Sequence, residues 1–455
     1  VKHVHILGVC GTFMGGIAAI AREAGFRVTG SDRNIYPPMS TQLERLGIGL
    51  VDGYDPGQLD PAPDMVVVGN VMTRGMPVVE ALLNSSIPWY SGPGWLAEHV
   101  LRNRWVVGVA GTHGKTTTTS LLAWILECAG LAPGFLIGGA PVDFPFSARL
   151  GSGRAFVIEA DEYDTAFFDK RAKFLLYRPR TVIINNIEFD HADIYPDLDA
   201  ILRQFHQLVR GVPGGGRLVV PAHDANVARL LDMGCWTPVT RFGSSGDADW
   251  TGREEPAGTF RLAAGGREVG AVPWQLSGAH NAENATAAFL AAREFGVDAA
   301  TALDAIGRFR GVARRLQLVG EFGGVTLYDD FAHHPTAIAR TLEGVRQRPG
   351  VRRVIAVFEP RSNSMKLGVY REPLVAAFAG ADATWIHQVP GLAWDLAATF
   401  APEPRAQVVA SLDGIVAGVA AASRPGDAIV VMSNGAFGGI HARLGAALAA
   451  RAGAP

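Results

Sequence analysis

The chain has 455 residues, 48% of them hydrophobic and 18% charged, with a formal net charge of −2. This composition excludes a disordered chain and supplies enough apolar residues for several cores, about three domains at roughly 150 residues each. A near-neutral charge without a basic run excludes nucleic acid and anionic membrane as expected partners.

In chain order, residues 3–8 read as a strand, with no signal-peptide pattern before it. The turn Gly8-x-x-Gly11-x-x-x-Gly15-Gly16 follows, then an apolar helix over 17–24. A second strand over 26–30 ends at Ser31-Asp32, and 65–68 reads as a buried parallel strand. This is a Rossmann-like βαβ pattern ending near 92–104. The turn lacks the Gly-x-Gly-x-x-Gly spacing, and a plain tight turn is the competing reading. Read functionally, Gly11, Gly15, Gly16, Ser31 and Asp32 are candidates for a diphosphate-sugar nucleotide site, with the acid at the strand end on a ribose.

A second unit starts with a strand over 105–110, which runs into Gly111-Thr112-His113-Gly114-Lys115-Thr116-Thr117 and a helix over 120–129. Strands are expected at 155–158, 181–185 and 217–220. The stretch 241–273 is β-like, and 278–295 returns to helix. A third unit opens at 325–329 after the loop 309–315, with strands at 353–358 and 428–432. The Ala-rich tail from Ala442 is expected to fray. Strands alternating with helices predict an α/β fold with parallel sheets, in three domains spanning 1–104, 105–314 and 315–455. The longest apolar stretch, 121–139, is interrupted by Glu127, Gly130, Pro133 and Gly134, too often to span a bilayer. Cys10, Cys128 and Cys235 lie far apart in no metal-like spacing. They argue for a reducing, cytoplasmic compartment and against a disulfide frame or a zinc site.

Lysine occurs only at 2, 115, 170, 173 and 366, so 36 of the 41 basic residues are arginine. A retained lysine hints at a need for a compact point charge, although base composition alone also produces such a bias. Lys115 carries the hint further, because it sits where a strand turns through glycines into a helix. Backbone N–H groups and the helix N-terminus favour phosphate there. Lys115 can reach the β- and γ-phosphates and the Thr116 hydroxyl can ligate Mg²⁺. Val109 stands where a standard Walker pattern has its leading glycine. Two acidic loops then follow adjacent strands, Glu159-Ala-Asp161-Glu162 and Glu188-Phe-Asp190-His191. They are candidates to hold Mg²⁺ between nucleotide and acceptor, against a reading as solvated capping acids.

The motifs Gly111-Thr-His-Gly-Lys-Thr-Thr-Thr, Glu159-Ala-Asp-Glu, Asp190-His191, His280-Asn281-x-x-Asn284, Phe309-x-Gly311-Val-x-Arg314-Arg315 and Asp329-Asp330-Phe-Ala-His333-His334-Pro335 occur in the order seen in the Mur ligases, and the chain resembles that family over essentially its whole length. The resemblance implies a three-domain architecture: a Rossmann-like N-terminal domain for a UDP-sugar, a central P-loop ATPase domain and a Rossmann-like C-terminal domain. It implies ATP-dependent amide formation in peptidoglycan assembly, with ATP and Mg²⁺ as cofactors and a monomer or weak homodimer as the assembly. The Asp-Asp-x-x-His-His-Pro segment is similar to the muramate–alanine ligase branch. The segments 69–75, 188–195, 358–366 and 432–441 resemble instead the branch that joins UDP-N-acetylmuramate to the recycled tripeptide L-Ala-γ-D-Glu-meso-diaminopimelate.

Carried over residue by residue, the resemblance implies an ATP site of Gly111, Thr112, His113, Gly114, Lys115, Thr116, Thr117, Asn281, Asn284, Arg315 and Asp330. It implies Mg²⁺ held by Thr116 and Glu159, and His191 on a second Mg²⁺. Lys115, Glu159 and His191 are the catalytic candidates. Arg361, Asn363 and Lys366 are the candidates for the acidic peptide, against a solvated basic loop. His333 or His334 is a candidate base for the amine, with a helix-start or hinge role equally open. Several relatives hold the second metal with a carbamylated lysine, and no lysine lies between Lys173 and Lys366 here. The competing readings are the muramate–L-alanine ligase, a nicotinamide-dependent oxidoreductase using the first domain, and a non-catalytic nucleotide-sugar regulator.

Overall fold

A computed structural model describes residues 1–33, 35, 39–255 and 258–452. The first sheet has five parallel strands in the order Gly49–Asp52, Arg27–Asp32, His3–Leu7, Met65–Val68, Trp89–Ser91. Crossover helices cover its faces. That is why Met65–Val68 is an unbroken apolar run rather than an alternating one. The helix Thr12–Glu23 begins five residues earlier than its apolar pattern indicates, directly out of the glycine turn.

The second sheet has ten strands. Its parallel centre runs Arg217–Pro221, Thr181–Ile184, Trp105–Ala110, Ala155–Glu159, Gly134–Leu136. One edge continues through Val239–Gly243 into the meander Trp250–Glu255, Thr259–Ala264, Arg267–Pro273, the β-like stretch expected from composition. The helix Lys115–Cys128 also starts five residues before the expected 120. Its first turns are a run of buried threonines that conceal the apolar period. Thr119 and Ser120 hydroxyls donate to the carbonyls of Lys115 and Thr116, each at 2.7 Å, so both buried hydroxyls are satisfied within the helix.

The third sheet has six strands. Gln317–Phe322 is antiparallel to Val325–Asp330, and the others, including Arg353–Phe358 and Asp427–Met432, are parallel. The Ala-rich tail, expected to fray, is helical as far as it is described, and residues 453–455 lie outside the described residues. Its helix is Ile440–Ala452, whose Leu444 and Leu448 are buried. Gly445 lets the Phe322 ring approach closely.

Two different junctions join these sheets. One continuous apolar cluster runs from Val4, Ile6, Ile17 and Trp95 of the first sheet layer to Leu136, Ala148, Phe156 and Ile158 of the second. Among the described residues no such cluster joins the second sheet to the third, whose own two faces are packed separately. That junction is polar: Thr336 Oγ donates to Glu188 (2.6 Å), Ser364 Oγ and Tyr370 OH donate to Asp190 (3.1 and 2.8 Å), and Asn363 Nδ2 donates to Asp193 (3.0 Å). The connecting segment turns through Gly311, Arg314 and Leu316, all at positive φ.

Candidate active site

A cavity of about 640 Å³ lies where the three layers meet. Thr12 and Gln42 line it from the first, Thr112–Thr117, Glu159, His191, Asn281 and Asn284 from the second, and Arg315, Asp330, His333 and His334 from the third.

The loop 111–114 is built by glycine. Gly111 and Gly114 have φ of +129° and +81°. A Cβ on Gly114 would lie 2.6 Å from Asn284 Oδ1 and 2.7 Å from Asn185 Nδ2. Only glycine lets the loop lie against these two asparagines. Asn186 Oδ1 accepts the His113 N–H at 2.8 Å, and Asn185 Nδ2 donates to the His113 carbonyl at 3.2 Å.

Lys115 Nζ donates to Gly111 O at 2.6 Å and lies 3.1 Å from Glu162 Oε2 and 4.0 Å from Asp161 Oδ1. Burial disfavours its charge, but Glu162 and Asp161 outweigh burial and raise its pKa. Lys115 is therefore a fixed cation at the loop. Thr116 Oγ donates to Glu159 Oε2 at 3.2 Å, and the other Glu159 oxygen accepts Gly138 N–H at 2.6 Å. Burial raises the Glu159 pKa despite that N–H, Lys115 and Arg315. A half-buried carboxylate beside a hydroxyl at the loop 111–114 is an oxygen donor set that fits a hard divalent cation. Arg315 reaches in from the hinge, its Nη2 3.4 Å from Thr116 Oγ.

His191 sits at φ +55° and points Nε2 at Glu162 Oε1, 3.2 Å away. Burial opposes its charge, yet Glu162, Asp190 and Asp161 lift its pKa to about 9. At neutral pH it is an imidazolium, and it can ligate a metal only after losing that proton.

Asn281 donates to Ser277 O and lies beside Asn284 in the first turns of Ala279–Arg293. Asp330 uses both carboxylate oxygens on the backbone: Oδ2 accepts Leu316 N–H (2.7 Å) and Oδ1 accepts Ala332 N–H (2.8 Å). It lines the cavity and also clamps the hinge. His333 Nδ1 lies 3.1 Å from Phe331 O. A carbonyl only accepts, so that nitrogen carries the proton and Nε2 keeps its lone pair. His334 caps the helix Pro335–Arg346, its Nδ1 accepting from Thr336 N–H, which is the helix-start role open to it from the sequence.

The remaining candidates do not line this cavity. Gly11, Gly15 and Gly16 lie at and within the start of Thr12–Glu23, where a Cβ on Gly16 would collide with Leu136 Cδ1. Ser31 and Asp32 end the second strand, and Asp32 accepts from Cys10 N–H and Tyr54 OH. Arg361 and Lys366 are exposed, and Asn363 reaches Asp193. Sequence reasoning treated Glu162 and Glu188 as acids of the metal loops. The structure pairs Glu162 with Lys115 and His191, and turns Glu188 to His113 and His334. It also shows the parts played by Asn185 and Asn186, whose signal was two amides following a strand that neighbours the loop strand.

Three α/β layers closing on a strand–loop–helix phosphate site define a nucleotide-dependent ligase architecture. The sequence matches the Mur ligase family catalytic domain over residues 3–104, the Mur ligase middle domain over 109–292 and the Mur ligase glutamate ligase domain over 314–435. The chain belongs to the Mur ligase family. It is 52% identical over 452 residues to the UDP-N-acetylmuramate–L-alanyl-γ-D-glutamyl-meso-2,6-diaminoheptandioate ligase of Escherichia coli, covering 99% of both chains. It is 35% identical over 475 residues to the UDP-N-acetylmuramate–L-alanine ligase of Halorhodospira halophila, covering 100% of this chain and 95% of that one. The solved structure of a murein peptide ligase from Psychrobacter arcticus superposes with a TM-score of 0.75 at 46% identity, covering 99% of each chain. No described helix is long and apolar enough to cross a membrane.

Proposed function

We propose that this chain is an ATP-dependent carbon–nitrogen ligase that joins UDP-N-acetylmuramate to the salvaged tripeptide L-Ala-γ-D-Glu-meso-diaminopimelate in the cytoplasm, for peptidoglycan recycling. The observation that carries the reading is the Lys115–Thr116–Glu159 constellation under Arg315, in a chain 52% identical to a ligase named for that reaction.

A carboxylate is a poor acyl donor, because oxide would have to leave. Attack of the lactyl carboxylate on the γ-phosphorus of ATP gives an acyl phosphate and ADP. The tripeptide amine then displaces phosphate. Both first-step reactants are anions, and phosphoryl transfer is mainly positioning and charge stabilisation. Lys115 and Arg315 supply fixed positive charge. Thr116 and Glu159 would hold Mg²⁺, and His191 a second ion after giving up its proton. Mg²⁺, when bound, neutralises phosphate charge. Asn281 and Asn284 are the proposed contacts for the adenine end of the nucleotide. The loop 8–16 with Asp32 is the proposed UDP-sugar site, and Arg361, Asn363 and Lys366 are the proposed grip on the peptide carboxylates. His333, neutral because burial lowers its pKa and with Nε2 free, is the proposed base for the incoming amine. Closure of the third domain keeps water from the acyl phosphate.

The test is acceptor-dependent ADP release with UDP-N-acetylmuramate. Release with the tripeptide well above that with L-alanine is expected. The reverse preference would make the chain a muramate–alanine ligase, and no release with either would remove the reading.

A further inference from the structure

A second group of ligating side chains lies across the polar junction, on the same cavity as Thr116, Glu159 and His191 but sharing no residue with them. His113, Glu188 and His334 present one nitrogen, one oxygen and one nitrogen within 4.8 Å of one another. Glu188 Oε2 is 3.3 Å from His113 Nε2 and 3.4 Å from His334 Nδ1. Metal–ligand bonds of about 2.0–2.1 Å at tetrahedral angles place ligand atoms about 3.3–3.4 Å apart. The carboxylate thus stands one tetrahedral edge from each imidazole. The two rings lie against each other, tilted by 48°, with centroids 4.5 Å apart.

We propose that His113, Glu188 and His334 form a binding site for a zinc-class divalent ion (Zn²⁺, Co²⁺ or Ni²⁺), filled only when the third domain is docked on the phosphate loop. Two imidazoles and one carboxylate are the donors of an open zinc-type centre, whereas Mg²⁺ prefers an all-oxygen set. Both histidines line the cavity, so ion and water can reach them. The surroundings are those of a built site. Thr336 Oγ donates to Glu188 Oε2 at 2.6 Å, Asn186 holds the His113 backbone, and the His334 ring packs edge-on against Tyr370 at 4.6 Å. Burial lowers the His334 pKa to about 4, leaving a neutral ring with a lone pair to offer. The ion displaces the 3.3 Å capping bond from Thr336 N–H and the 3.3 Å hydrogen bond of His113 Nε2 to Glu188, whose proton His113 gives up or moves to Nδ1 on ligation. Because His113 and Glu188 belong to the middle domain and His334 to the third, such an ion ties them together. The proposal requires nothing of the ligase reaction.

The test is titration of the full-length apoprotein with Co²⁺, read by the intensity of its visible d–d absorption. One equivalent of a strongly absorbing, low-symmetry complex is expected. Glu188→Gln keeps the shape and the Thr336 bond, and His334→Asn keeps a residue able to cap the helix. Each should weaken Co²⁺ binding about tenfold or more while leaving the far-ultraviolet circular dichroism unchanged. His191→Ala should leave the band in place. No one-equivalent band in the parent protein, a band indifferent to Glu188→Gln and His334→Asn, or a band lost in His191→Ala would each overturn the proposal.

Discussion

Lys115 is held by acids that belong to the protein before any substrate arrives. Glu162 and Asp161 keep it charged and aimed along the loop, so its charge needs no reorganisation when a phosphate enters. Lys115→Ala should lower the rate of acceptor-dependent ADP formation by about 10³-fold or more while circular dichroism stays unchanged, and undiminished turnover would remove Lys115 from the mechanism. Glu159 is the opposite case, a half-buried carboxylate whose pKa burial raises despite Lys115 and Arg315 nearby. Glu159→Ala should shift the Mg²⁺ dependence of turnover to higher concentration or abolish turnover. A superimposable Mg²⁺ titration would argue against Glu159 as a ligand. The residues read from the strand–loop–helix motif fall together in space because the motif is contiguous. Glu162 and Asn185 acquire their parts from other strands, and no spacing in the chain encodes that.

Among the elements, the helix Thr12–Glu23 shows what a glycine reading can miss. Gly16, a candidate for the UDP-sugar site, is also the point where that helix touches Leu136 and Ala148 of the middle sheet. Gly16→Val should overpack this contact and destabilise the protein by about 1–3 kcal/mol, measured as a lower urea midpoint. An unchanged midpoint would mean the helix can shift freely. The helix Pro335–Arg346 carries a pH dependence through its cap. His334 is buried, and burial followed by the nearby His113 depresses its pKa from 6.5 to about 4. The unfolded chain therefore binds a proton that the folded one refuses, so stability is full above pH 6.5 and declines as pH falls toward 4. His280 and His333, also lowered by burial, act in the same direction. Glu188, held at about 2, loses its contribution only below about pH 4.5. The thermal midpoint should fall between pH 6.5 and 4.5, and less steeply in His334→Asn. Parallel slopes would sink this assignment.

At the scale of the whole molecule, the first two layers share one apolar core while the third docks through hydrogen bonds. An apolar junction holds its geometry, whereas a polar junction beside a connecting segment with three positive-φ residues between 311 and 316 permits a rigid-body swing. Tyr370 spans that junction, donating to Phe189 O and Asp190 Oδ1, both at 2.8 Å. Tyr370→Phe should loosen docking by about 1 kcal/mol, seen as a larger radius of gyration in small-angle scattering without nucleotide. An unchanged scattering curve would mean the junction does not depend on this bond.

The alternation of strands and helices, the phosphate loop, the acidic strand ends and the family were written in the order of residues along the chain, because each rests on local periodicity or on a contiguous motif. Folding alone decided that Glu162 serves Lys115 and His191, that Glu188 faces two histidines, and that one domain junction is oily and the other wet. Those outcomes depend on which distant surfaces meet, and burial and charge at a meeting of surfaces do not exist until the chain has closed on itself.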